Sequence, residues 1–180
     1  SFSNLSIMNL PATSYFSGMV SHDAFSVFFS MLFPIVILMG LVMGHYSKEI
    51  LEDRKAEYFA LLLAFGTGLM VMSSANSFLM MYLGIEMVSI LSYALAGFHR
   101  EKNDSVEASM KYVVYGALAT GIMIFGMSLI YAVSGELSIT GLRSFIHANP
   151  TETIPLLFWT GVVLSFAGFG YKVSAAPMHM

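Results

Sequence analysis

Cysteine is absent from all 180 residues, which excludes disulfides, thiolate metal sites and a cysteine nucleophile. Charge is nearly as scarce. The 8 lysines and arginines and 11 aspartates and glutamates make up 11% of the chain, where a soluble domain carries about a quarter. The net charge of −3 comes without any basic stripe or face, so nucleic acid is excluded as a partner. No Gly-rich phosphate loop, zinc-ligand spacing or nucleophile–base set occurs, which excludes a nucleotide-binding domain and a hydrolase. The first 20 residues contain no Lys or Arg to form the start of a signal peptide. Beginning at Ser1, the chain reads as a piece of a longer protein.

What is abundant is apolar: 57% of residues are hydrophobic and mean hydropathy is +0.74, which excludes intrinsic disorder. A bilayer core of about 30 Å asks for roughly 20 consecutive apolar residues. Residues 24–44 meet this without a charge, and 58–75 and 78–98 follow, parted only by Asn76 and Ser77 and therefore antiparallel neighbours. Two more runs, 111–133 and 154–176, complete the set. Each is continuously apolar rather than alternating, which selects helices over barrel strands. The prediction is an all-α integral membrane protein with five transmembrane helices, a 1–23 external tail and a transmembrane region over 24–180.

The basic residues orient it, because Lys and Arg concentrate in cytoplasmic loops. Lys48, Arg54 and Lys55 fall in 45–57, and Arg100, Lys102 and Lys111 in 99–111. The tail and the 76–77 turn carry none, and 134–153 carries only Arg143. Both basic loops are therefore expected on the cytoplasmic side and the tail outside. Within 134–153, a short helix from Thr140 to His147 with Thr140 as N-cap would put Leu142, Phe145 and Ile146 on one face at the outer interface. Pro155 in the first turn of the last span costs nothing. Pro177 frees backbone carbonyls and predicts a break in that helix. Gly66 and Gly68, Ser73 and Ser77, Gly116 and Thr120, and Ala117 and Gly121 are small residues at which spans can approach closely.

Apart from Glu86 and Lys172, every charge lies in a loop or at the edge of an apolar run. Glu86 is about 12 Å into the 78–98 run at 1.5 Å per residue, where a carboxylate costs ~2.5–3.5 kcal/mol and marks an ion or proton route. The plain alternative is a protonated glutamate bonded to a neighbouring helix. Lys172 lies deep in the last run, and Pro177 after it argues against simple snorkelling to the interface. A unit-charge pair at 4 Å and an effective dielectric near 20 is worth ~4 kcal/mol. Making or breaking such a pair therefore decides whether the lysine holds its proton, unless the two form only a static salt bridge. His179, next to the expected break, is a possible relay because histidine titrates near neutrality. Lys111 reads mainly as a headgroup anchor. His22, His45, His99 and His147 are interfacial and show no ligand spacing. The 15 methionines are spread over every span, which fits packing filler better than copper handling.

Four blocks carry a resemblance. They are Met81-Tyr82-Leu83-Gly84-Ile85-Glu86-Met87-Val88-Ser89, Glu107-Ala108-Ser109-Met110-Lys111-Tyr112, Phe125-Gly126-Met127-Ser128-Leu129-Ile130-Tyr131, and Gly168 through Met180 with its Gly-Tyr-Lys-Val-Ser core. In this order and spacing, from about Ser21 on, the chain resembles the antiporter-like subunit N family of proton-pumping NADH:quinone oxidoreductase, respiratory complex I. The resemblance implies a fourteen-helix antiporter-like fold of which these five spans are the third to seventh, the last broken near Pro177. It implies that Glu86 and Lys172 are the family's charge pair, that His179 matches a histidine of the broken helix, and that Lys111 matches a lysine without a firm role. It also implies no cofactor in this chain, with NADH, flavin, iron–sulfur clusters and quinone bound by other subunits. The partners implied are other membrane-arm subunits and the lipid bilayer, and the location a prokaryotic inner membrane. Leu91 stands where the family often has proline, which puts a kink there in doubt. A cation/proton antiporter or membrane-bound hydrogenase subunit shares the pair and is the alternative, and a purely structural membrane subunit is a third.

Overall fold

The computed structural model describes residues 13–50 and 52–176. A hairpin of β1 (Thr13–Tyr15) and β2 (Val20–His22) leads into α1 (Ala24–Tyr46), α2 (Lys55–Ser73), α3 (Phe78–Ala96), α4 (Asn103–Ser134), α5 (Ile139–Ala148) and α6 (Leu156–Lys172). Short 3₁₀ turns at Glu52–Arg54 and Thr151–Thr153 precede α2 and α6. Helices α1 to α4 are each long and apolar enough to cross a membrane. At 17 residues, α6 extends about 25 Å and is a shorter apolar helix, so the described residues give four helices of full spanning length and a fifth, shorter one within the predicted 154–176 run.

Helix ends are set by local chemistry. Asp23 caps α1 reciprocally with Ser26: its Oδ1 accepts from the Ser26 amide at 2.8 Å and its own amide donates to Ser26 Oγ at 2.9 Å. Such a cap is worth ~1 kcal/mol. Pro34 stands inside α1, where it removes one ladder donor. The expected loop 99–111 is shorter than the charge pattern suggested, because α4 begins at Asn103 and takes in Asp104, Glu107 and Lys111. Glu107 and Lys111 are good helix formers, Asp104 sits in the first turn where a carboxylate suits the helix dipole, and Lys111 Nζ meets Glu107 Oε1 one turn away at 2.5 Å. The short helix after α4 is capped by Ser138, whose hydroxyl accepts from the Gly141 amide at 2.9 Å; Thr140 is not the cap. Leu142 and Phe145 pack on the Ile130, Ile154 and Phe158 cluster, whereas Ile146 faces outward.

The hairpin, absent from the sequence reading, is fastened to the α2–α3 turn. Ser21 N donates to Ser74 O at 2.8 Å, Asn76 N to Met19 O at 2.8 Å, and Asn76 Nδ2 to Gly18 O at 3.0 Å. At the opposite end Arg54 pairs with Glu101 at 2.5 Å, joining the two charged connections. The Glu101 backbone amide, and then the Arg54 guanidinium, hold that carboxyl below the usual range. Being exposed, the pair contributes little to stability.

Close helix approach follows glycine. A Cβ on Gly66 would meet Ile37 of α1 at 2.9 Å, and one on Gly84 would meet the Met72 backbone of α2 at 2.9 Å. The expected Ala117–Gly121 contact is not made: a Cβ on Gly121 has nothing within 4 Å. The most extensive contact runs between α4 and α6 through Gly126, Gly161 and Gly168, none of which the sequence pattern had marked for packing.

Candidate functional site

One face of α3 presents Glu86, Ser89 and Tyr93 in succession, since positions i, i+3 and i+7 of a helix align. Lys172, the last residue of α6, reaches across to this face. Its Nζ donates to Ser89 Oγ at 2.6 Å and to Tyr93 Oη at 3.3 Å, and lies 3.5 Å from Glu86 Oε1. An ammonium has three donors, and three acceptors on a single helix face surround this one. Nζ also stands 5.8 Å from the centroid of the Tyr93 ring, within cation–π range. Helix α4 closes the third side: Thr120 Oγ1 sits 2.6 Å from Glu86 Oε1.

The two charges, 86 positions apart in the sequence, come together as the expected pair. They are only partly buried, with 14% of the Lys172 and 23% of the Glu86 side chain exposed, and no charged side chain is fully buried among the described residues. This corrects the expectation of a buried pair. The physical reason is that α3, α4 and α6 cover it on three sides while an open cavity of about 330 Å³ adjoins Lys172, lined by Tyr93, Tyr112, Tyr171, Ser174 and Lys111. Lys111 therefore shares a cavity with Lys172, although its ammonium is engaged by Glu107. Ser89 and Thr120 are themselves buried.

The backbone makes room for this cluster. Gly116 of α4 lies against Tyr93, and a Cβ there would overlap the Tyr93 hydroxyl and meet its Cζ at 2.6 Å. Gly116→Ala is expected to drive the Tyr93 ring from its place beside Lys172 and to cost ~1–3 kcal/mol in overpacking. Thermal unfolding of the purified full-length protein checks this, and an unchanged melting temperature would refute it. After Lys172 the helix stops: Ser174 takes the left-handed region at φ 52, and Ala175 N donates to Gly170 O at 2.8 Å. The end therefore precedes Pro177. Pro177 and His179 lie outside the described residues, and so does the break expected there. Helix α3 runs through Leu91 without interruption.

The sequence reading named Glu86 and Lys172 and missed Ser89, Tyr93 and Thr120 as their partners. Ser89 and Tyr93 could have been found from the α3 spacing alone. Thr120 could not, because its approach depends on the register of α4 against α3.

Comparison with known proteins bears on the same region. Residues 75–180, which hold α3, α4 and α6, match the family model described as NADH:quinone oxidoreductase/Mrp antiporter, TM. The chain belongs to that family. Relatives named NADH-quinone oxidoreductase subunit N are 37% identical over 98% of this chain in Anaeromyxobacter sp. (strain Fw109-5) and 38% identical over 98% in Herminiimonas arsenicoxydans. The chain spans about a third of their length, 35% and 36% respectively. Among solved structures, a chain of respiratory complex I from Thermus thermophilus with bound Aureothin superposes with a TM-score of 0.68 at 26% identity, covering 93% of this chain and 34% of that one. A chain of an archaeal membrane-bound sulfane sulfur reductase has the same fold, with a TM-score of 0.75 at 24% identity over 92% of this chain and 33% of that one. Membership and the apolar helices together make this a multi-pass membrane protein.

Proposed function

We propose that the chain is part of a proton-translocating membrane-arm subunit of an NADH:quinone oxidoreductase, in which Glu86 sets the protonation of Lys172. The observation that carries this reading is the 3.5 Å approach of the two charges inside apolar helices, where unneeded charge is costly. Around it stands the finer architecture of the proposal: α6 serves as the fifth span of a fourteen-helix fold, shorter than a full crossing because the helix breaks at a proton site. The 45–57 and 99–111 segments face the cytoplasm of a prokaryotic cell, and the 1–23 segment lies outside. The chain holds no redox cofactor. NADH, flavin, iron–sulfur clusters and quinone belong to other subunits, and its partners are neighbouring membrane-arm subunits and lipid. His179 is a further relay in this proposal, and Lys111 a minor contributor at the cavity mouth.

A proton reaching Lys172 from the cavity is held as ammonium by Ser89, Tyr93 and Glu86. Withdrawing the Glu86 charge weakens that hold and releases the proton. Glu86→Gln is therefore expected to lower proton translocation and quinone-coupled turnover several-fold in the intact complex while assembly stays normal. Unchanged pumping would overturn the mechanism, and lost assembly would favour a structural role. A cation/proton antiporter subunit is the second reading, since the family description spans both classes. Co-purification with quinone-reductase subunits separates them.

A further inference from the structure

Thr120 has one hydroxyl hydrogen and two acceptors within reach, Glu86 Oε1 at 2.6 Å and the Gly116 carbonyl at 3.0 Å. The residue is buried, so no water is needed to account for either contact. A threonine in a helix ordinarily donates to the carbonyl four residues back, and Gly116 is that partner here. When it does so, its oxygen is left as an acceptor.

We propose that Thr120 is a positioning residue for Glu86, a two-way hydroxyl that donates to the carboxylate and, after turning its hydrogen to the Gly116 carbonyl, accepts from the protonated carboxyl. Resting on the role proposed above for Glu86, this means that gain and loss of a proton leave the side chain hydrogen-bonded in place. A polar group shielded from water and left without a partner carries a desolvation penalty, and the turning hydroxyl lessens it in both states of the partly buried Glu86. Ser89 differs: its hydroxyl donates to Ile85 O at 2.7 Å and accepts from the Lys172 ammonium at 2.6 Å.

Among the described residues, the groups that bear on Glu86 are few. Lys172 faces it from α6, Tyr82 and Tyr93 lie within reach of its charge on its own helix, and α4 supplies the uncharged Thr120. Helix α2, which also packs on α3, meets it through Gly68 and Met72, neither of which titrates.

The test uses the full-length protein in its assembled complex and three variants. Thr120→Val keeps the shape and removes the hydroxyl, Thr120→Ser restores it, and Glu86→Gln identifies the Glu86 carboxyl band in the infrared difference spectrum as the one it abolishes. A hydrogen bond to a charged group exceeds a neutral one by an amount equivalent to about one pH unit. In Thr120→Val the acid limb of the pH–turnover profile is expected to move up by about that much and the carboxyl band to change frequency; Thr120→Ser returns both toward the original. An unmoved profile and band in Thr120→Val would overturn the proposal, as would failure of Thr120→Ser to rescue. If Glu86→Gln still pumps, the translocation role of Glu86 falls, while the band still reports whether Thr120 bonds to it.

Discussion

Lys172→Arg is expected to stop proton translocation as completely as Lys172→Ala. The two substitutions separate what Lys172 contributes as a charge from what it contributes as a proton carrier. Arginine retains a cation opposite Glu86, whose Oε1 lies 3.5 Å from the lysine nitrogen, and retains donors for Ser89 and Tyr93. It does not release its proton in proteins. A site that needs only a fixed positive charge to balance Glu86 would work with arginine and fail with alanine. A site that passes a proton through the side chain fails with both, by about two orders of magnitude if the lysine contributes as a positioned acid–base group does. Reconstituted intact complex in vesicles, with proton uptake measured against quinone reduction, gives the readout. Pumping by the Lys172→Arg protein would refute the carrier role.

That argument begins from two residues that were legible in the sequence, because membrane helices expel charge and Glu86 and Lys172 were the exceptions. The helices were legible for the same reason, and their errors have definite causes. Hydropathy marks where a helix leaves lipid, and α4 goes on as a helix into water, so Asn103 and Glu107 lie inside it although they were assigned to a loop. The last helix stops before the apolar run does because the chain turns at Ser174, whose φ is positive, and Ala175 N bonds back to Gly170 O. The hairpin is two strands of three residues, too short for alternation to register. Its stability comes from Ser74 and Asn76, more than fifty residues away in the chain. The cradle around Lys172 divides the same way. Its α3 half follows from helical spacing, while the Thr120 half is a property of how two helices pack.

Packing also governs the second large effect. Gly161→Val is expected to destabilise the protein by ~3 kcal/mol or more and to loosen the seat of Lys172. A Cβ on Gly161 would meet the Gly126 carbonyl oxygen at 2.7 Å and the Ile130 amide nitrogen at 3.0 Å. Across the seam, a Cβ on Gly126 would meet the Ser165 amide at 2.5 Å and the Gly161 carbonyl oxygen at 2.6 Å, while Gly168 lies against Met123 and the Ala119 carbonyl. These neighbours are mostly backbone atoms or Cβ atoms fixed to the backbone, which cannot swing aside as the end of a side chain does. An added group must separate α4 from α6 and forfeit van der Waals contact along the seam, including that of the fully buried Met123 and Phe158. Overpacking of a core that can adjust costs ~1–3 kcal/mol, and a backbone-walled site belongs at or above the top of that range. Because α6 ends at Lys172, tilting it also draws the ammonium away from Glu86. Gly121→Ala on α4, with nothing within 4 Å of the new Cβ, is the control; its gain in helix propensity, up to ~1 kcal/mol, gives it the opposite sign. Thermal unfolding of the full-length protein in detergent compares the two. Equal melting temperatures for Gly161→Val and Gly121→Ala would refute the glycine seam as the contact that holds Lys172 in position.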